Sequence, residues 1–181
     1  EKISTRGLAF HDATCPFVAK IHKIAAEAGK NGAVLLVAGD RTHPEVEGIV
    51  GHATGPVVGF SGLEELHAWA AQEKPQKSIY VVAQTTFRVE SWEECKAFLK
   101  KWCTNPKIFD TICNATWARQ QEAEDLSQKC DRMVVIGGHH SSNTQKLLQV
   151  AARHCDAVSI ETAAELDRNW LKGAKVVGVT A

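Results

Sequence analysis

One pattern occurs twice along this chain, and the repeat limits its fold more than any other feature. Asp12-Ala-Thr-Cys15 aligns with Asp110-Thr-Ile-Cys113, and the spacing from Cys15 to Gly39 equals that from Cys113 to Gly137. Each interval reads as a helix, a polar turn and an apolar run, VLLVAG in the first copy and MVVIGG in the second. Polar loops follow, RTHPEVEG and HHSSNTQK, placing His43 and Ser141 equally far beyond their cysteines. Each copy continues through a second apolar run (VVGF, AVSI), a helix start (SGLEEL, TAAEL) and a third run leading to Thr85 or Thr180. Agreement at fixed spacing over so many points marks a duplicated supersecondary unit.

The apolar runs Ala33–Val37, Val57–Phe60, Ile79–Ala83, Met133–Ile136, Ala157–Ile160 and Lys175–Thr180 lack polar alternation, as strands of a parallel sheet buried on both faces do. Between them lie helical stripes: Phe17, Ile21, Ile24, Ala25 and Ala28 form one, and Trp92, Cys95, Phe98, Leu99 and Trp102 another. The alternation predicts an α/β fold of right-handed βαβ units, arranged as two repeated open parallel-sheet modules with flanking helices. Module one is expected over 12–105 and module two over 106–181, with 1–11 a remnant of a preceding domain. The chain starts at Glu1 and stops at Ala181 directly after KVVGVT; both ends read as cut, so neighbouring segments are expected.

Ligands of open α/β sheets bind beyond the carboxyl ends of the strands, where helix N-termini present free N–H groups. The repeat puts Cys15 and Cys113 at that face, each ending a first strand and opening a helix, with Pro16 suited to the first helical position. A thiol there ionises more readily, and thiolate is the form that binds metal. The six cysteines, at 15, 95, 103, 113, 130 and 155, include no C-x-x-C pair, which argues against zinc, rubredoxin-like and ferredoxin-like sites. A single cysteine is ordinarily a small buried hydrophobe. The repeat singles out Cys15 and Cys113; Cys95, Cys103, Cys130 and Cys155 read as structural, and Trp69, Trp92, Trp102, Trp117 and Trp170 as packing residues. Two thiolates are few for an iron–sulfur cluster, which takes three or four protein ligands. A third module outside the chain would complete such a site.

Lys and Arg total 21 and Asp and Glu also 21, so no net charge steers the chain toward nucleic acid or a membrane surface. No apolar run approaches the roughly 20 residues needed to span a bilayer. The start EKISTRG has no secretory pattern. These features point to the cytoplasm, where disulfides are improbable.

Five motifs occur in order and in register: D-A-T-C-P (Asp12–Pro16), H-P-E-V-E-G (His43–Gly48), Q-T-T (Gln84–Thr86), I-C-x-A-T-x-x-R-Q (Ile112–Gln120) and S-S-N (Ser141–Asn143). Together they closely resemble the LytB family of 4-hydroxy-3-methylbut-2-enyl diphosphate reductases, over essentially the whole chain. The resemblance implies two of the three pseudo-threefold α/β domains that surround a central [4Fe-4S] cluster in that family. It implies reductive removal of an allylic hydroxyl, giving isopentenyl and dimethylallyl diphosphates in the last step of the methylerythritol phosphate route to isoprenoids. Cys15 and Cys113 match two of the three cluster cysteines, leaving one iron open as a Lewis acid. Glu45 matches the proton-delivering acid and Thr85 the threonine that hydrogen-bonds the substrate hydroxyl. His43, Ser141, Ser142 and Asn143 match residues that hold the diphosphate or that hydroxyl.

Hydroxide is a poor leaving group and needs a nearby acid, and a diphosphate is suited by neutral hydroxyl and amide donors, helix N-termini and imidazole. The implied partners are the small allylic diphosphate and an electron-donor protein such as a flavodoxin or ferredoxin, with a monomeric parent enzyme. The family's first cysteine, two further histidines and a later serine have no counterpart here, so the isolated chain is expected to fold but not to turn over. His140 also stands where the family's loop often carries asparagine.

Each residue also has a plainer reading. His43 could be an exposed loop histidine, Glu45 a first-turn acid that favours the helix dipole, Ser141 and Ser142 helix caps, and Thr85 and Thr86 strand ends. Two rival functions follow. A clusterless phosphate-ligand-binding α/β protein would be colourless and indifferent to loss of its cysteines. A hydrolase or isomerase of a sugar phosphate, with Glu45 as base, would turn over without reductant. Neither needs the paired Asp-x-x-Cys.

Overall fold

The computed structural model describes residues 9, 11–73 and 78–181, so the expected remnant over 1–11 falls, apart from residues 9 and 11, outside the described residues. The chain forms α1 (Pro16–Lys30), β1 (Val34–Ala38), α2 (Pro44–His52), β2 (Val57–Phe60), α3 (Leu63–Gln72), β3 (Ile79–Ala83), α4 (Val89–Trp102) and β4 (Lys107–Ile108). It continues with α5 (Asn114–Ser127), β5 (Arg132–Ile136), α6 (Ser142–Ala151), β6 (Asp156–Ile160), a 3₁₀ turn (Ala163–Glu165) and β7 (Val177–Thr180).

Two all-parallel sheets result, ordered β2-β1-β3-β4 and β6-β5-β7. In both, the first strand of the repeat is central, the second pairs on one side and the third on the other. Leu35 faces Val57 and Tyr80 across β1, and Arg132 faces Asp156 and Val177 across β5. Sequence periodicity does not show β4, whose two residues extend the first sheet.

The first sheet is buried on both faces. Ile21, Ile24, Ala25 and Ala28 of α1 pack with Val46 and Ile49 of α2 on Leu35, Val37, Tyr80 and Val82. On the other side Leu66 of α3 and Trp92, Cys95 and Leu99 of α4 cover Leu36, Ile79 and Val81. Phe17, expected in the α1 stripe, is 40% exposed because it sits in the first turn, beyond the edge of the sheet. His22 of α1 stacks on His52 of α2 with ring centroids 3.9 Å apart, and burial followed by the neighbouring His52 lowers its pKa.

The second sheet is covered on one face by α5 and α6, through Ala123, Leu147 and Val150 on Met133 and Val135. The helix expected at TAAEL is one 3₁₀ turn, closed by a capping box between Thr162 and Glu165. Asp167 and Asn169 follow at once and form a turn (Asn169 N–H to Asp167 Oδ1, 2.8 Å), so no apolar stripe develops. Among the described residues Ile136, Val177 and Val179 of that face remain exposed.

The four cysteines read as structural lie away from the helix starts. Cys95 and Cys103 are buried and Cys130 and Cys155 half-buried. Burial, with the charge of Glu94 behind it, pushes the Cys95 thiol up to about 11. In the folded chain at pH 8, iodoacetamide therefore alkylates exposed Cys15 and leaves Cys95 unmodified until the chain unfolds. Mass spectrometry of the two cysteine peptides checks this; equal labelling rates in the folded state would contradict it.

Candidate active site

Both repeated cysteines are helix N-caps, Cys15 of α1 and Cys113 of α5, and neither thiol is spent on capping an N–H. Neither directly ends a strand as the sequence suggested: residues 11–14 carry no strand, and β4 stops at Ile108. The reason lies in Thr111. Its hydroxyl accepts from Ala83 N–H (2.8 Å) and donates to Ala83 C=O (2.7 Å), so a side chain replaces the backbone ladder beside β3. The chain then leaves the sheet, and Cys113 N–H donates to Thr85 C=O at 3.0 Å.

The repeated aspartates do different work. Asp12 closes a local turn by accepting from Thr14 N–H at 2.9 Å. Asp110 instead accepts from Lys96 Nζ and Trp92 Nε1, both at 2.8 Å, tying the approach to Cys113 onto α4. Lys96, and next the Trp92 indole, hold the Asp110 carboxyl below the usual aspartate range. A depressed folded-state pKa gives stability that is present above the unfolded value, near pH 4, and is lost as pH falls through the folded value. Asp110→Asn thus lowers Tm most near neutral pH, and the gap from the parent narrows below about pH 4. A pH-independent gap in thermal melts would refute that linkage.

His43 is the N-cap of α2, and its Nδ1 accepts from Glu45 N–H at 3.1 Å. The neutral ring therefore carries its proton on Nε2, where it can donate outward. Glu45 spans to the end of β3: Oε1 accepts from Thr85 N–H at 2.6 Å and Oε2 from the Thr85 hydroxyl at 2.7 Å. Thr85 is buried. Acid, hydroxyl and cysteine backbone thus form one chain of contacts from Glu45 through Thr85 to Cys113. Cys15 stands outside this network, on the exposed end of the helix that packs against α2.

In module two, Ser141 caps α6 by accepting from Thr144 N–H at 3.3 Å. Ser142, one residue on, reaches module one, with its hydroxyl 2.8 Å from Thr86 Oγ1 and accepting from Gln84 Nε2 at 3.3 Å. Gln84 also accepts from Asp40 N–H at 3.1 Å, so one buried side chain links the β1 loop, the β3 end and α6. Asn143 Oδ1 is buried and has no hydrogen-bond partner among the described residues. His140 is exposed at the tip of this loop.

Site reasoning from sequence missed four supporting residues: Gln84, Thr86, Thr111 and Gln120. Gln120 donates to Phe87 C=O (3.1 Å) and accepts from Val89 N–H (3.0 Å), pinning α5 to the turn before α4. Gln84, Thr86 and Gln120 lie inside recognised motifs, and that is the signal that could have found them. Thr111 lies inside the repeated Asp-x-x-Cys. Thr111→Val keeps its shape and leaves the Ala83 N–H and C=O without that partner, which costs about 1–2 kcal/mol of stability. Urea unfolding checks it; an unchanged midpoint would show that water replaces the hydroxyl. Trp117, expected to pack, is 52% exposed one turn beyond Cys113.

No helix among the described residues is long and apolar enough to cross a membrane. The family model described as LytB protein matches residues 1–181. A 4-hydroxy-3-methylbut-2-enyl diphosphate reductase of Helicobacter pylori (strain Shi470) is 39% identical over 182 residues, covering 100% of this chain and 65% of that protein. The reductase of the same name from a Nitratiruptor species is 39% identical over 94% of this chain and 60% of its own length. The solved E-1-hydroxy-2-methyl-but-2-enyl-4-diphosphate reductase from Plasmodium falciparum superposes with a TM-score of 0.87 at 26% identity, over 98% of this chain and 56% of that one. A second solved structure, of (E)-4-hydroxy-3-methyl-but-2-enyl diphosphate reductase, the terminal enzyme of the non-mevalonate pathway, gives 0.57 at 32% identity, over 99% and 64%. The chain therefore spans somewhat less than two thirds of the length of these relatives. With a match to the family model from end to end, the chain belongs to the LytB family.

Proposed function

We propose that the chain supplies two of the three modules, 12–105 and 106–181, of a cytoplasmic, monomeric 4-hydroxy-3-methylbut-2-enyl diphosphate reductase, an iron–sulfur oxidoreductase of isoprenoid synthesis. The observation that carries the reading is the contact chain Glu45–Thr85–Cys113, which joins an acid, a hydroxyl and a cysteine at one sheet end. The names of the relatives support the substrate.

The donor set suits part of a cluster site. Cys15 and Cys113 present their thiols at helix N-termini. Among the described residues no group of three His, Cys, Asp or Glu side chains gathers to hold a metal, so a further thiolate has to come from outside them. A [4Fe-4S] cluster held by Cys15, Cys113 and that third cysteine would supply Lewis acidity and relay two electrons from a flavodoxin or ferredoxin.

The overall change is R–OH plus two electrons and two protons to R–H plus water. During the reaction the Thr85 hydroxyl turns from Glu45 Oε2 to the leaving oxygen, gives it a proton and takes a replacement delivered through the Glu45 carboxyl. Nε2–H of His43, the hydroxyls of Ser141 and Ser142 and the free N–H groups at the start of α6 hold the diphosphate. The unpartnered Asn143 Oδ1 accepts from the substrate hydroxyl.

The test is anaerobic loading with iron and sulfide of the chain extended to the length of its relatives, followed by turnover with a reduced viologen dye. The extended protein is expected to be brown and to consume the allylic diphosphate only with reductant, whereas the chain alone is inactive. Turnover without reductant would favour the hydrolase or isomerase reading. Colourless protein whose diphosphate affinity ignores loss of Cys15 and Cys113 would favour the phosphate binder.

A further inference from the structure

A second cleft, of about 370 Å³, opens where α6 of module two meets module one. Module one lines it with Asp40 and Arg41 after β1, Ser61 after β2, Glu65 of α3 and Phe87 after β3; module two contributes Lys146 of α6. It therefore lies beyond the carboxyl ends of β1 and β2, where open α/β sheets take ligands.

Most of its charged groups already have hydrogen-bond partners. Asp40 Oδ1 accepts from Thr42 N–H (2.9 Å) and Thr42 Oγ1 (2.8 Å). Glu65 accepts from Ser61 N–H (3.0 Å), Ser61 Oγ (2.6 Å) and Arg41 (3.3 Å). Arg88, whose charge is felt at Lys146, pairs with Glu90 at 2.9 Å. Lys146 is the exception: it is half-buried, and its ammonium makes no hydrogen bond or ion pair among the described residues. Burial first, and then Arg88, lower its pKa, and these outweigh the attraction of Asp40. A cation withdrawn from water without a partner is costly, and a bound anion removes that cost.

We propose that this cleft is a second anion site, which takes a phosphate group on Lys146 and on the Arg41 N–H groups that its single contact with Glu65 does not use, and so bridges the two modules. Ser61 lies at the same wall, and the stem of Arg41 lies against Gly59, where a Cβ would meet its Cγ at 3.3 Å. The bridge runs beside the seam at Ser142, so a bound phosphate stiffens the contact that positions the α6 N-terminus. The site needs neither cluster nor turnover and stands or falls apart from the reductase reading.

The test is a nuclear magnetic resonance titration of the 181-residue chain with inorganic phosphate and, in parallel, glycerol phosphate. Saturable shifts are expected at Lys146, Arg41 and Ser61. Lys146→Met weakens them about tenfold or more, the loss of one charge-assisted hydrogen bond, while Lys146→Arg retains them. His43→Ala, in the other cradle, leaves them intact. Equal shifts from both ligands assign the phosphate group itself, and stronger shifts from the ester assign a phosphorylated metabolite; both support the site. Absence of saturable shifts at these residues, or shifts unchanged in a folded Lys146→Met chain, overturns it.

Discussion

Glu45→Gln, placed in the cluster-loaded protein of full family length, is expected to fold and bind the allylic diphosphate as the parent does, yet turn over at least about a hundredfold more slowly. The amide oxygen can still accept from Thr85 N–H, now 2.6 Å from Oε1, so the loop after β3 keeps its anchor. What is lost, on the proposed function, is a carboxyl oxygen able to exchange a proton with the Thr85 hydroxyl, 2.7 Å from Oε2. An interaction that acts only during proton transfer shows in kcat with little change in KM. Thr85→Val removes the same relay from its other end and leaves Glu45 Oε2 without its hydroxyl donor, whereas Thr85→Ser restores it. Steady-state kinetics on the four proteins decide. A Glu45→Gln enzyme with parental kcat would remove Glu45 from the chemistry and leave it as a brace for Thr85.

The repeat made much of this arrangement legible. Equal spacing put His43 and Ser141 at matching points, and both prove to be helix N-caps. Apolar runs marked every strand long enough to show a pattern; β4, with two residues, could not be seen that way. The sequence did not show how the modules join. Gln84, Thr86, Thr111 and Gln120 act through single long-range hydrogen bonds, and a lone polar residue has no periodicity to betray it. The repeated Asp-x-x-Cys likewise hides a divergence, because Asp12 bonds locally while Asp110 reaches across to α4. Equal spacing fixes backbone placement, whereas each side chain's partner depends on what the fold packs beside it.

The glycines that end the first strand of each module show where the repeat is a physical requirement, and Gly137→Val is the harshest test of it. A Cβ at Gly137 would stand 2.2 Å from Thr144 Oγ1 and 3.3 Å from Thr144 Cβ and Cγ2. Gly39 faces the same crowding, with Val46 Cγ2 at 2.8 Å and Gln84 Cβ at 3.0 Å. In both modules the first turns of the following helix lie directly on the strand end, which brings the N-cap, His43 or Ser141, back over the sheet. Thr144 is buried near the start of α6. Valine at 137 therefore displaces the start of α6 and costs about 3 kcal/mol, the upper part of the range for overpacking. The same shift pulls Ser142 from Thr86, so on the proposed function diphosphate binding weakens along with stability. Thr144→Ala clears the nearest atoms, and combined with Gly137→Ala it should cost less than the two single changes added together. Thermal and urea unfolding of this double-mutant cycle measure the coupling. Strict additivity would mean that the helix start can move freely, and the glycine would then reflect something other than the close approach of α6.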